Sequence, residues 1–173
     1  MVRAIFVLLV ITSCSTGHIN EFGIYVPNSP KYKLKDRKGD SIPKELDTLN
    51  LYKYYGYYNE KGLLVKDTLD NKNWKIYDKY CEKGRFYTFG AEKLTENILN
   101  PNHANKGYYI FDKKNRRIKS EIFTNGNGGQ FVIIKYRLSK KGDTLLSIEG
   151  KKNYSVHIKE KIPSNWKRYK PDW

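Results

Sequence analysis

The chain has 173 residues, 33 Lys+Arg against 18 Asp+Glu, and a formal net charge of +15. That length suits one domain, and the negative mean hydropathy excludes a helical polytopic membrane protein. With 3 Ala against 15 Ile and 15 Tyr, the composition favours strands, because β-branched and aromatic side chains fit a pleated surface.

Residues 1–14 read as an address. Arg3 precedes a run of apolar residues over 4–11, and Thr12-Ser13-Cys14 follows. This order of cation, apolar run and small residues is that of a secretory signal. Eight residues of helix rise only about 12 Å, far short of a bilayer core of roughly 30 Å, so the run is too short for a transmembrane anchor. Ile11-Thr12-Ser13-Cys14 resembles the lipobox of bacterial lipoproteins. The resemblance covers the first fourteen residues. It implies cleavage before Cys14, a diacylglyceryl thioether on its sulfur and acylation of its new amine. More than one acyl chain then holds the protein firmly to a membrane. By the same resemblance, Ser15 in place of an acidic residue implies an outer-membrane anchor facing the periplasm. Lipidation of Cys14 leaves Cys81 without a partner in the chain, which makes it a small buried hydrophobe rather than half of a disulfide.

The expected domains are a signal peptide over 1–13, a lipidated cysteine with tether and irregular lead-in over 14–45, and one β-rich domain over 46–173. Prolines and glycines crowd the lead-in, together with a basic run over 31–38, although residues 22–26 suit a short strand. Strands are predicted over 49–58, 63–66, 74–77, 84–89, 107–111, 116–124, 130–138, 144–148 and 153–162. The turn over 112–115 joins two of them into a hairpin with a basic tip, and a glycine-rich turn over 125–129 joins the next pair. One short amphipathic helix is predicted over 91–99, where Ala91, Leu94 and Ile98 share a face. Short strands joined by tight turns predict an antiparallel meander. Closure into a small barrel or a strongly curled sheet of lipocalin-like size removes exposed edges, with a two-sheet sandwich as the alternative.

The sequence offers no catalytic constellation, and no cofactor or metal is expected. His18, His103 and His157 lack metal-ligand spacing. The glycine-rich turn lacks the Gly-Lys-Ser/Thr ending of a phosphate loop. Glu121, a candidate inward-facing carboxylate, and His157 are the residues on which an enzyme would rest. Basic residues interleaved with Tyr form the clearer signal. In the cytoplasm they would suggest nucleic acid, but export removes most of that partner. The expected anions are envelope lipids, lipopolysaccharide or acidic glycans, met at Lys113, Lys114, Arg116, Arg117 and Lys119. The same cations also serve as solvated turn tips. Trp166, Tyr169 and Trp173 in the C-terminal tail are candidate interface aromatics. The sequence thus resembles the small β-rich lipoproteins of Gram-negative envelopes. The expected activity is non-catalytic binding of an apolar ligand or an anionic envelope component. An enzyme, or a structural or inhibitor lipoprotein that binds another protein, are the rivals.

Overall fold

The computed structural model describes residues 17–37, 42–66, 73–124, 129–148 and 154–173. The expected signal peptide, Cys14, most of the glycine-rich turn, Lys38 and Lys151 lie outside the described residues. Eleven strands are present among those described: β1 (Gly17–Ile19), β2 (Tyr25–Pro27), β3 (Leu51–Tyr58), β4 (Leu64–Lys66), β5 (Lys75–Tyr80), β6 (Arg85–Ala91), β7 (Asn105–Asp112), β8 (Arg117–Thr124), β9 (Gln130–Leu138), β10 (Thr144–Ser147) and β11 (Tyr154–Glu160).

The expected barrel is present. Strands β5 to β11 follow one another antiparallel, and β3 lies between β5 and β11. The pairing of β11 with β3 runs from Tyr154↔Tyr58 to Glu160↔Leu51 and closes an eight-stranded cylinder. β4 adds a short extra strand to one edge of β3, at Gly56–Tyr58. β1 and β2 form a separate hairpin.

Period-two alternation sorts the side chains. Tyr52, Tyr80, Phe86, Tyr109, Phe111, Ile118, Ile122, Tyr136, Leu138 and Leu145 pack together inside the cylinder, and Leu46 joins them from the segment before β3. Tyrosine serves here because the buried hydroxyls of Tyr52, Tyr80 and Tyr109 each find a partner. Tyr52 donates to the Gly142 carbonyl at 2.8 Å and Tyr109 to the Cys81 carbonyl at 2.9 Å. The Tyr80 hydroxyl meets Ser120 Oγ at 3.3 Å. An aromatic ring brings roughly 150–250 Å² of buried surface to a small core, and the paired hydroxyl avoids a desolvation penalty.

A second apolar cluster lies on the outer wall. Leu51, Tyr77, Cys81, Tyr87, Phe89 and Ala91 project outward and are covered by Leu99, Ala104 and Ile162, with Trp166, Tyr169 and Trp173 packed against them. The helix predicted over 91–99 is replaced by two 3-10 turns, Asn97–Leu99 and Pro101–His103. Ala91 belongs to β6, and the Asn100 side chain caps the second turn by accepting from the Asn102 amide. Leu94 and Ile98 still meet the cluster, so the apolar spacing is satisfied without an α-helix. Residues of the expected tether also lie on the wall: Leu34 is buried and Tyr25 stacks on Phe123.

Candidate functional site

The β7–β8 hairpin carries the predicted cations, and its turn sorts them. Asp112 accepts from the Asn115 backbone amide at 3.1 Å and from its side chain at 2.8 Å. These bonds hold the Asp112 carboxyl below its ordinary pKa, and the charges of Arg117 and Lys119 add to the effect. Arg116 takes a left-handed backbone, φ 50. Its guanidinium turns back to the Ser139 carbonyl at 2.8 Å and to Glu45 Oε1 at 3.5 Å. Arg116 therefore ties two hairpins to the segment before β3 instead of presenting charge. Lys113 and Lys114 are exposed at the tip.

Arg117 and Lys119 lie on the outer face of β8. There they meet two cations that the sequence reading passed over: the register sets Arg117 opposite Arg137 and Lys119 opposite Lys135. Directly opposed like charges oppose sheet pairing. Arg117, Lys135 and Arg137 are exposed, and Lys119 is half-buried. Further along the same face the register pairs Glu121 with Ile133 and Phe123 with Phe131. That half is covered by the lead-in. The Leu34 amide donates to Glu121 Oε2 at 2.8 Å, and the Tyr32 ring sits edge-on to Phe131 at 5.0 Å. Burial, with Tyr108 and the Glu121 charge adding, raises the Tyr32 hydroxyl far above its ordinary pKa. The face is thus open where it is cationic and closed where it is apolar.

The two residues on which an enzyme would rest are held apart. Glu121 points out of the barrel, contrary to the inward orientation expected, because Ser120 and Ile122 take the inward positions on β8. His157 points in, and its Nδ1 lies 2.8 Å from Asp78 Oδ2. The two atoms touch, yet neither has a well-aligned hydrogen bond among the described residues. The rings of Tyr54 and Tyr136 stand edge-on to the imidazole at 5.5 and 5.2 Å. Both members of the pair are buried. Such a pair is sealed from substrate and acts on the barrel itself.

The tail aromatics are half-buried on the outer wall. Trp173 donates through Nε1 to the Gly107 carbonyl at 3.3 Å and carries the Lys106 ammonium 5.1 Å from its ring. Cys81 is buried, and burial pushes its thiol up to about 11. His103 stacks on Phe22, and His18 meets Asn28 Oδ1 at 3.3 Å. Among the described residues there is no cluster of three or more metal-ligating side chains, and no helix is long and apolar enough to cross a membrane. Comparison of the chain with models of protein families, with curated proteins and with solved structures returns no match.

Proposed function

We propose that this protein is a lipid-anchored, non-catalytic module of the bacterial envelope, and that the outer face of β8 and β9 binds phosphorylated headgroups. The carrying observation is the register that sets Arg117 against Arg137 and Lys119 against Lys135 on an open face. Four cations gathered on one open stretch of wall, against the single carboxylate of Asp112 opposite Arg117, attract an anion that carries more than one charge. The lipobox-like start supplies the context, since a tether on Cys14 would hold this face near a membrane bearing anionic lipid or lipopolysaccharide. The aromatic packing inside the barrel favours a surface site over a ligand enclosed by the cylinder.

Anionic phospholipid and lipopolysaccharide share the phosphate chemistry, and sedimentation separates them. The unlipidated chain should sediment with phosphatidylglycerol vesicles or with lipopolysaccharide, not with phosphatidylcholine vesicles. Binding should weaken as salt is raised from 50 to 500 mM, because exposed charges are screened. Equal binding to neutral and anionic vesicles would remove the basis of this reading.

A further inference from the structure

A second cationic feature lies away from β8 and β9, beneath the C-terminal tail. Lys79, Lys83, Arg85, Lys167, Arg168 and Lys170 line a cleft of about 450 Å³ between the tail and the outer barrel wall. That volume is of small-molecule size. Its apolar surface comes from Leu49, Tyr87, Leu99 and Ile162, and Glu82 is the acidic residue among its lining.

Three of the six cations, Lys79, Arg85 and Arg168, are held in place by carbonyl oxygens. Arg85 donates to the Pro171 carbonyl at 3.0 Å, and Arg168 to the Leu49 carbonyl at 3.1 Å and the Ile162 carbonyl at 3.4 Å. Lys79 donates to the carbonyls of Thr48 and Tyr80. It is only 7% exposed. Its direct partners are carbonyls, the Asp47 charge acts on it only from beyond ion-pair distance, and burying an ammonium without a carboxylate in contact is costly. Burial accordingly draws its pKa below the ordinary lysine value. None of the six cations forms an ion pair with a carboxylate among the described residues.

The backbone adds an independent observation. Lys83 sits in the left-handed region, with φ 58 and ψ 29. Non-glycine residues are uncommon there, Asn and Asp being the tolerated exceptions. Strained backbone at a cleft is a pointer to function. Here a lysine stands where the turn alone would favour Asn or Gly.

We propose that this cleft binds a small phosphomonoester with a short apolar body. A phosphomonoester carries nearly two negative charges at neutral pH and several strong acceptor oxygens. The cationic rim takes the phosphate, and the Leu49, Leu99 and Ile162 side chains take the body. The tail forms one wall, so the site exists only while the tail is docked.

Calorimetric titration of the full chain carrying Cys14→Ser tests this with hexyl phosphate as probe. Saturable binding at one tight site is expected, with only weak, salt-sensitive binding at the open β8–β9 face. Hexanol, hexanoate and inorganic phosphate should each bind at least tenfold more weakly. Lys167→Gln combined with Lys170→Gln should weaken hexyl phosphate at least tenfold at unchanged Tm. Lys83→Asn should weaken it at least threefold while raising Tm, which separates lost binding from lost folding. Arg117→Gln with Arg137→Gln should leave the tight site unchanged, which separates it from the β8–β9 face. The proposal is overturned if hexyl phosphate does not saturate, if hexanol or inorganic phosphate binds as tightly, or if the Lys167/Lys170 variant binds like the parent.

Discussion

His157 on β11 and Asp78 on β5 meet at 2.8 Å across the intervening strand β3. β3 is the strand that receives β11 and closes the cylinder. The contact is therefore an internal staple over the seam, made by two residues that lie on strands far apart in the chain. Removing one member leaves the other buried without its partner. His157→Ala or Asp78→Ala should each cost about 1–3 kcal/mol in urea unfolding, the penalty for a polar group left buried without its partner. A volume-matched apolar replacement of both should cost less, because no polar group is left buried without a partner. A loss under about 1 kcal/mol in both single variants would show that the staple contributes little to closure.

The β9–β10 turn is fitted against the segment before β3. Gly142 has φ 71, and a Cβ there would lie 1.8 Å from the Glu45 carbonyl oxygen. Left-handed backbone and direct overlap act together, so Gly142→Ala should destabilise by at least about 2 kcal/mol. The Gly142 carbonyl also accepts the Tyr52 hydroxyl at 2.8 Å. A shifted turn should therefore disturb the Tyr52 ring, visible in near-UV circular dichroism. An unchanged urea midpoint would contradict the packing described.

Burial gives the fold an alkaline limit. The Cys81 thiol is raised from 9.0 to about 11, and the Tyr52 hydroxyl from 10.0 to about 12, desolvation being the main cause in each. The folded chain then holds these protons more tightly than the unfolded chain. Stability is complete below the unfolded values, near pH 9, and falls as pH rises towards 12. The loss between pH 9 and 12 should reach at least about 2 kcal/mol. Urea midpoints at pH 8, 10 and 11 measure it, and a midpoint that stays flat or rises would contradict the burial of these groups. The same burial predicts slow alkylation of Cys81 by iodoacetamide at pH 8, accelerating only on unfolding.

Lipid attachment rests on the first fourteen residues and is tested apart from the barrel. Labelled palmitate should enter the parent chain in a Gram-negative host and be absent from Cys14→Ser. Incorporation into both chains, or into neither, would contradict the anchor.

Much of the barrel was legible because inward and outward positions alternate. In β9, Val132, Ile134, Tyr136 and Leu138 face in while Lys135 and Arg137 face out, and the strand predicted over 130–138 has those bounds. The same alternation could have placed Glu121. With Ile118 and Ile122 taken as core, Glu121 must point outward. Opposition of Arg117 to Arg137 was hidden by register, which depends on the connection after β8. The His157–Asp78 pair was hidden more deeply, since it exists only after β11 returns to β3. The spacing of Ala91, Leu94 and Ile98 misled because an irregular segment lying on an outer wall meets apolar neighbours as readily as a helix does. The tail was legible as aromatic and basic, but not as one wall of a cleft.

The central claim is that an anion bridges the opposed cations of β8 and β9. Replacing Arg117 and Arg137 together by Gln removes the opposed charges without setting a new acid against Asp112, so the fold should keep its Tm within a few degrees. Binding of the unlipidated chain to phosphatidylglycerol vesicles and to lipopolysaccharide, measured by sedimentation in 100 mM salt, should drop at least tenfold. Retention of parental binding by this folded variant would contradict the claim.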